Sequence, residues 1–338
     1  MGISQPFRST NGFKISKNPV IMGQLPFNQS VLSWIASHRF EPLTSIFLFF
    51  TFIGGQYGYI LIGLGMYWLY NKRIAIKISM VIATASILNH LLKITIRNPR
   101  PFVTDGTYQQ KWGIPKSQMA ATAKEYSTPS GHAMGAASFW SYFYTKFKSR
   151  KTLYLVGFLI LMIGLSRPYL GVHYFEDIFL GWGIGFLVTF IIVKYEESFS
   201  KRWSTLSLSL QNLIVIGIST LSWLIAGLIA DWSFNAQTLD TLVGLVNGLL
   251  VGSALEARYI KFDPKTKDYV HGIIKFVLGL VLSLGIFLGL DVAFAPLAED
   301  NTFLGFLLRY IRYSLLGILA TVVVGWVFLR LNLAEKEQ

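Results

Sequence analysis

Three short polar segments interrupt a very hydrophobic chain of 338 residues, and they contain the side chains best suited to chemistry. The first runs from Lys93 to Pro101, the second is Pro129–His132, and the third starts at Ser166 and ends at Asp177. Together they supply three cations fit to bind phosphate (Lys93, Arg100 and Arg167), two histidines (His132 and His173) and the carboxylate of Asp177. This set of residues suits the hydrolysis of a phosphate ester at a membrane face.

Transfer of a phosphoryl group requires positive charge on the non-bridging oxygens, an in-line nucleophile and an acid for the leaving oxygen. Lys93, Arg100 and Arg167 can supply the charge, and arginine binds phosphate oxygens two at a time. Ser130 and Gly131 begin an apolar segment, and a helix N-terminus there would bind an anion through its amides.

His173 and Asp177 are four residues apart, so a helix that begins there places both on one face. Asp177 can then hold one ring nitrogen of His173 and leave the other free to attack phosphorus. His132 begins another helix and can protonate the leaving oxygen. A metal site built from these three residues is an alternative, but the neighbouring cations would repel a divalent ion. We therefore expect no metal and no other cofactor.

The composition predicts a membrane protein. The chain is 53% hydrophobic and 14% charged, with a mean hydropathy of +0.49, whereas soluble domains carry about 25% charged residues. Its formal charge of +13 comes largely from short loops between apolar segments, which favours anionic lipid headgroups over nucleic acid as partners. The absence of cysteine excludes disulfides and thiolate chemistry.

The apolar segments predict an all-α, polytopic transmembrane bundle of about nine spans. We divide the chain into a polar N-terminal segment (1–27), a core that carries the three polar segments (28–203) and a C-terminal block of unknown role (204–338). Because residues 1–26 lack a signal-peptide pattern, the first span is expected to serve as the insertion signal. Asn28–His38 predicts a short interfacial helix with Trp34 at headgroup depth.

Five apolar segments form the predicted core: Leu43–Tyr70, Ile74–Ile96, Ala133–Phe147, Leu153–Leu165 and Tyr174–Val193. Gly54-Gly55 interrupts the first, which favours one kinked span over two short re-entrant pieces. Several segments are short for a hydrocarbon layer of about 30 Å. Their ends should therefore include residues of the flanking polar segments.

Four further helices are predicted in the C-terminal block: Leu206–Ala230, Leu239–Leu255, Val270–Leu290 and Phe303–Leu329. Gly244, Gly248 and Gly252 create a small-residue face for close helix packing. A homo-oligomer formed through these C-terminal helices, including that face, is a further hypothesis.

Loop charges predict the orientation of the chain in the plasma membrane. Four basic loops fall on one side if the spans alternate, namely 71–73, 146–151, 194–202 and 261–267. Basic loops are usually cytoplasmic, so the three polar segments and the N-terminus should be extracytoplasmic. Arg309 and Arg312 run against this pattern and are expected to snorkel outward or line a cavity.

The pattern K-x6-RP, PSGH and SR-x5-H-x3-D resembles the signature of the type 2 phosphatidic acid phosphatase (PAP2) superfamily, and the chain matches it at every position. The resemblance covers roughly residues 28–195. It implies a metal-independent phosphatase that passes through a phosphohistidine at His173, with His132 as the acid. It also implies a set of phosphate-binding residues: Lys93, Arg100, Ser130, Gly131 and Arg167.

The predicted function is therefore hydrolysis of a lipid phosphate or diphosphate at the outer face of the membrane. Phosphatidic acid, phosphatidylglycerol phosphate, isoprenyl diphosphate, sphingoid-base phosphate and lipid A phosphate all stay open as substrates. A lipid phosphotransferase would use the same residues. A transporter that binds without cleaving is a third possibility, but the intact His173–Asp177 pair argues against it. Lys111, Lys116 and Lys124 could steer an anionic headgroup or simply be solvated.

Overall fold

The structure is a computed structural model that describes residues 25, 27–28, 30–102, 114–115, 117–118, 122, 125–229, 234–299 and 302–337. Seven α-helices in these residues belong to the N-terminal part: α1 Ser30–Ser37, α2 Glu41–Ile53, α3 Gln56–Leu69, α4 Lys72–Ile96, α5 Gly131–Lys146, α6 Arg150–Tyr169 and α7 Phe175–Ser204. Four follow: α8 Leu208–Ile229, α9 Phe234–Leu255, α10 Tyr269–Phe294 and α11 Phe303–Arg330. The all-α prediction is confirmed.

Seven of the described helices are long and apolar enough to cross a membrane, and α2 with α3 forms one further candidate as a bent pair. Helix α5 has only 16 residues and lies below that length. The predicted total of about nine spans is reached when α5 is included. The described helices thus confirm the integral membrane protein that the composition predicted.

The bent pair favours one span over two re-entrant pieces. Helices α2 and α3 meet at an angle of 55° around Gly54-Gly55. Thr44, near the start of α2, hydrogen-bonds Tyr169 at the end of α6 (3.2 Å). Tyr70, just after α3, packs on Phe147 at the opposite end of the bundle, with ring centroids 5.5 Å apart. The pair therefore extends along the full length of its neighbours.

The ends of the core helices include the flanking polar residues, as the short apolar segments required. Helix α5 begins at Gly131, and α6 continues beyond Arg167. The predicted loop at 194–202 is wrong, because α7 continues through it. Glu197 and Lys201 form an ion pair one turn apart (2.8 Å), and Glu196 accepts a hydrogen bond from Tyr142 (2.6 Å). These contacts extend the helix past its apolar part.

The glycine face of α9 packs closely, as predicted, but its partner is α11 of the same chain. A Cβ on Gly317 of α11 would lie 2.6 Å from the backbone of Gly248, and one on Gly244 would lie 2.7 Å from the Tyr310 carbonyl. The hypothesis of an oligomer through this face is therefore wrong, because α11 already covers it. Oligomerisation through other C-terminal surfaces stays a prediction.

Arg309 and Arg312 of α11 lie beside acidic residues of neighbouring helices. Arg309 Nε is 3.7 Å from Asp240 Oδ2, and Arg312 forms an ion pair with Asp291. Both arginine side chains are less than 15% exposed. Free snorkelling does not fit this burial, and the alternative arrangement, in which the two arginines line a cavity, stays a prediction.

A polar contact joins the C-terminal block to the core at the end of the bundle where α4 begins. Lys72 Nζ donates to Glu256 Oε1 (3.1 Å), Glu337 Oε2 (3.0 Å) and the Phe262 carbonyl (2.6 Å). We call Lys72, Glu256, Glu337 and Phe262 the α4 start cluster. It ties the last residues of the chain to the first long helix.

Apolar packing joins the same two regions. Trp68 of α3 is fully buried and contacts Phe276 of α10 and Phe328 of α11, with ring centroids 6.4 and 6.0 Å apart. These side chains belong to one hydrophobic cluster with residues of α4, α5 and α6. The C-terminal block therefore packs as part of the core. A chain shortened after Trp203 would expose this apolar surface. The division of the chain into a core and a C-terminal block at 203–204 stays a prediction.

Helix α1 lies over the turn between α6 and α7. Leu32 is 1% exposed and packs among residues of that turn, whereas Trp34 is 61% exposed. This matches the short helix predicted for Asn28–His38, and the headgroup depth of Trp34 stays a prediction. The described part of the turn contains Gly171 with φ of +76°, a conformation that glycine adopts without strain.

Candidate active site

The first polar segment is positioned by the end of α4. Arg97 adopts a left-handed conformation (φ 56°), and its amide donates to the Lys93 carbonyl (2.9 Å). This cap ends the helix and turns residues 98–102 back over the bundle. Lys93 and Arg100 are consequently buried, at 6% and 2% exposed.

The second segment is held between α4 and α7. Ser130 caps α5 through its Oγ, which accepts from the Ala133 amide at 3.4 Å, and its own amide donates to the Asp177 carbonyl (3.0 Å). Asn89 of α4 donates to the Pro129 carbonyl (3.0 Å). A Cβ on Gly131 would come within 3.0 Å of the Asn89 side chain, so this position favours glycine.

The third segment brings His173 onto Asp177, as the four-residue spacing predicted. His173 Nδ1 is 3.1 Å from Asp177 Oδ2, and both side chains are buried. Arg100 NH1 lies 3.0 Å from the other ring nitrogen, Nε2. Because guanidinium only donates, Nε2 must be the unprotonated nitrogen and Nδ1–H the donor to Asp177. The ring thus presents a lone pair on its cationic side.

Burial lowers the pKa of His173 well below its usual value of 6.5, and the charges of Arg100 and Arg167 lower it further. The imidazole is therefore neutral at neutral pH. Only the neutral ring has a lone pair with which to attack phosphorus.

Asp177 is fixed by hydroxyl groups that sequence reasoning missed. Ser127 Oγ donates to Oδ2 and Thr128 Oγ1 donates to Oδ1 (2.5 Å), while the Tyr174 amide donates to Oδ2 (3.0 Å). Ser127 Oγ also lies 3.2 Å from His173 Nδ1. The available signal was the pair of hydroxyl residues directly before Pro129.

Asn98, which was also missed, connects the first segment to the second. Its Nδ2 donates to Thr128 Oγ1 (2.8 Å), and its carbonyl accepts from the Ser127 amide (2.8 Å). A continuous chain of hydrogen bonds therefore runs from Asn98 through Thr128 to Asp177.

Arg167 is 1% exposed and only partly satisfied. Its NH1 donates to Thr51 Oγ1 (3.2 Å) and Gln118 Oε1 (3.0 Å). Within the described parts of the chain, Nε and NH2 are buried and have no hydrogen-bond acceptor. A buried guanidinium with unused donors fits an anion such as phosphate.

His132 is half-buried in the first turn of α5, and its electrostatic neighbours include Arg167 and His173. Its Nε2 faces the break between α2 and α3, where a Cβ on Gly55 would be 3.6 Å away. His132 therefore lies at the same end of the bundle as His173.

One further residue at the site was not predicted. Glu125 Oε2 lies 2.6 Å from Lys93 Nζ and 3.4 Å from Arg100 NH2. Burial alone would raise the pKa of Glu125, but the charges of Lys93 and Arg100 outweigh this and lower the pKa to about 2. The carboxylate is ionised at every physiological pH.

The structure thus brings the predicted site residues to one end of the bundle: Lys93, Arg100, Ser130, Gly131, His132, Arg167, His173 and Asp177. Their individual roles stay predictions. In the part of the chain that the structure describes, no group of three or more histidine, aspartate or glutamate side chains could hold a metal ion.

These features define a helical membrane protein whose buried histidine–carboxylate pair faces a cluster of cations. Comparison with known proteins gives the family. The PAP2 superfamily matches residues 74–201, and the transmembrane extension of PAP2 superfamily phosphatases matches residues 241–336. The chain belongs to the PAP2 superfamily and is a membrane phosphatase, as the resemblance implied.

Two relatives carry names that describe lipid substrates. The chain is 28% identical over 151 residues to phosphatidylglycerophosphatase B of Bacillus subtilis, covering 42% of this chain and 68% of that one. It is 24% identical over 178 residues to undecaprenyl-diphosphatase of Sulfolobus acidocaldarius, covering 51% and 80%. The crystal structure of a transmembrane PAP2 type phosphatidylglycerolphosphate phosphatase from Bacillus subtilis matches with 25% identity and a TM-score of 0.40, covering 50% of this chain and 86% of that one.

Proposed function

We propose that the protein hydrolyses a lipid phosphate or diphosphate through a phosphohistidine at His173, without a metal, on the extracytoplasmic face of the plasma membrane. Nε2 of His173 attacks phosphorus, and the bond from phosphorus to the leaving oxygen breaks. His132 gives its proton to that oxygen. Water then attacks the phosphorus of the phosphohistidine while His132 takes a proton from the water. The bond between phosphorus and Nε2 breaks, which frees His173 and releases inorganic phosphate.

The orientation of the His173 ring carries this proposal. Asp177 holds Nδ1, and Arg100 NH1 lies at Nε2. The nucleophilic nitrogen therefore points toward the cations that would bind the phosphate oxygens. As phosphorus takes the Nε2 lone pair, Nδ1–H becomes more acidic, and the Asp177 carboxylate stabilises the developing positive charge.

The names of the relatives support two substrate candidates, phosphatidylglycerophosphate and undecaprenyl diphosphate. The experiment is a lipid panel in detergent, in which phosphate release is measured for these two lipids, phosphatidic acid and a sphingoid-base phosphate. Hydrolysis of at least one lipid is expected, with the wild-type rate retained in excess chelator. Transfer of phosphate to an added lipid alcohol without phosphate release would instead indicate a phosphotransferase.

The phosphohistidine can be tested directly. Rapid acid-free quenching after mixing with phosphate-labelled lipid should give labelled protein whose label is lost in acid and retained in base, as expected for a phosphorus–nitrogen bond. The label should be absent in His173→Ala. Labelled wild-type enzyme with acid-stable, base-labile phosphate would point to an acyl or ester intermediate and would overturn the proposed nucleophile.

Loop charges support the extracytoplasmic face, and the chain contains no native cysteine that would interfere with a labelling test. Ser37 and Ser204 form a matched pair. Each is an exposed last residue of a helix, and its Oγ donates to the carbonyl three residues earlier (2.8 and 2.9 Å). In intact cells, an impermeant thiol reagent should label Ser37→Cys and not Ser204→Cys. The reverse pattern would place the site in the cytoplasm.

A further inference from the structure

Glu125 binds the two cations that are expected to bind phosphate. Its Oε2 contacts both Lys93 Nζ (2.6 Å) and Arg100 NH2 (3.4 Å). A carboxylate oxygen and a phosphate oxygen are alike as acceptors, since both are anionic and both accept from ammonium and guanidinium groups. A phosphate group that used these two donors would occupy the position of the Glu125 carboxylate.

The backbone of Glu125 is fixed independently of its side chain. Arg100 Nε donates to the Glu125 carbonyl (3.0 Å), and its NH1 donates to the Val172 carbonyl (3.0 Å). The Glu125 side chain is 41% exposed, whereas those of Lys93 and Arg100 are 8% and 2% exposed. The carboxylate can therefore rotate into water while the loop and the cations stay in place.

We propose that Glu125 is an internal ligand of the phosphate subsite, and that the phosphate group of the substrate displaces it. In the free enzyme, the Glu125 carboxylate then balances the positive charges of Lys93 and Arg100. Without it, these two buried charges would have no counter-charge, which is energetically costly. The same contact weakens the binding of every phosphate compound, including the inorganic phosphate that must leave after each turnover. This inference rests on the proposed binding of phosphate by Lys93 and Arg100.

The displacement has a quantitative consequence. The dissociation constant of inorganic phosphate and the kcat/KM for lipid both refer to the free enzyme, in which Glu125 is bound. Removing the carboxylate should therefore lower the dissociation constant of inorganic phosphate and raise the kcat/KM for lipid by the same factor. A partly exposed ion pair gives a factor of about two to five.

The experiment uses Glu125→Gln in the full chain, with phosphate binding measured by calorimetry and lipid hydrolysis by phosphate release. We expect phosphate to bind about two- to fivefold more tightly and kcat/KM to rise equally. Glu125→Asp, whose shorter side chain keeps the charge, should lie between Gln and wild type. Glu125→Asp also provides the test of displacement if Glu125→Gln does not fold. Weaker phosphate binding in both variants would show that Glu125 supports the subsite, and would overturn the proposal.

Two controls distinguish failure of this displacement from failure of the proposed function. Glu176→Gln removes the same charge from a half-buried glutamate whose Oε1 accepts from the Asn28 amide and which forms no ion pair with Lys93 or Arg100. It should leave phosphate binding unchanged, and a change equal to that of Glu125→Gln would indicate a general charge effect and contradict displacement. Lys93→Met tests the subsite itself. If it weakens phosphate binding while Glu125→Gln does not strengthen it, only the displacement fails. If it has no effect, the proposed subsite fails.

Discussion

Helix α4 has a lysine near each end, with side chains 11% exposed at Lys72 and 8% exposed at Lys93, and the surroundings of the two lysines differ. Lys72 donates to two carboxylates and a carbonyl within the α4 start cluster. Lys93 donates to one carboxylate, which it shares with Arg100, and Arg167 nearby keeps unused donors within the described structure. At the start of α4, anionic groups match the cation.

Among the described residues at the end of α4, cations and unused donors exceed the acceptors. A cluster whose charges and hydrogen bonds are satisfied contributes to folding, and it offers nothing to a ligand. A buried excess of positive charge is costly to fold and is retained where an anion will bind. The comparison therefore predicts that substitutions near Lys93 change catalysis, and that substitutions at Lys72 change stability.

The largest effects should come from the two histidines. His173→Ala removes the nucleophile and should lower kcat by at least about 10³-fold, while His132→Ala should lower it by about 10²- to 10⁴-fold with a lipid substrate. The two roles separate with an aryl phosphate, whose leaving group needs little protonation. Hydrolysis of this ester should partly return in His132→Ala and stay absent in His173→Ala. Equal recovery in both variants would contradict the assignment.

Asp177→Asn should have the next largest effect on catalysis. The amide cannot stabilise the positive charge that develops on His173, so kcat should fall by about 10²-fold or more. KM should change little, because Asp177 contacts His173, Ser127 and Thr128 and lies behind the nucleophile. A large rise in KM with unchanged kcat would place Asp177 in the phosphate subsite instead.

At the other end of α4, Lys72→Met should lower the free energy of unfolding by about 3 kcal/mol, because Glu256 becomes a buried charge without its cation. The kcat of the folded fraction should stay near the wild-type value. Lys77→Met is the matched control. Lys77 is 42% exposed and 3.9 Å from Glu196, so its loss should cost about 0–1 kcal/mol. Loss of catalysis in fully folded Lys72→Met would break the proposed contrast.

Much of the fold could be predicted from hydropathy. Each membrane span needs a long apolar segment, and these segments indicate where most of the long helices lie. The continuation of α7 through 194–202 could not, since it depends on Glu196 meeting Tyr142 in space. The closing of the α4 start cluster by Glu337, 265 residues from Lys72, likewise has no local signal.

The site shows the same division between local and distant information. His173 and Asp177 could be predicted as a pair because helical spacing fixes their contact. Ser127 and Thr128 lie next to a recognisable motif, but their contact with Asp177 depends on how α5 meets α7. Glu125 is separated from Lys93 by 32 residues, and nothing in its neighbourhood indicates that it binds two cations of the first segment.

The smallest expected effect is on the pH dependence of kcat/KM, and it tests the electrostatic side of the comparison. Burial and the charges of Arg100 and Arg167 lower the pKa of His173. A lowered pKa keeps the ring neutral as the pH falls through 6.5, so the loss of activity due to His173 protonation should begin only at lower pH. Arg167→Gln removes one of these charges, and the acid limb should move to higher pH than in wild type. Because both enzymes are measured on the same lipid, the titration of the substrate phosphate is common to both profiles. An acid limb that moves to lower pH, or that does not move, would show that Arg167 does not act on the nucleophile through its charge.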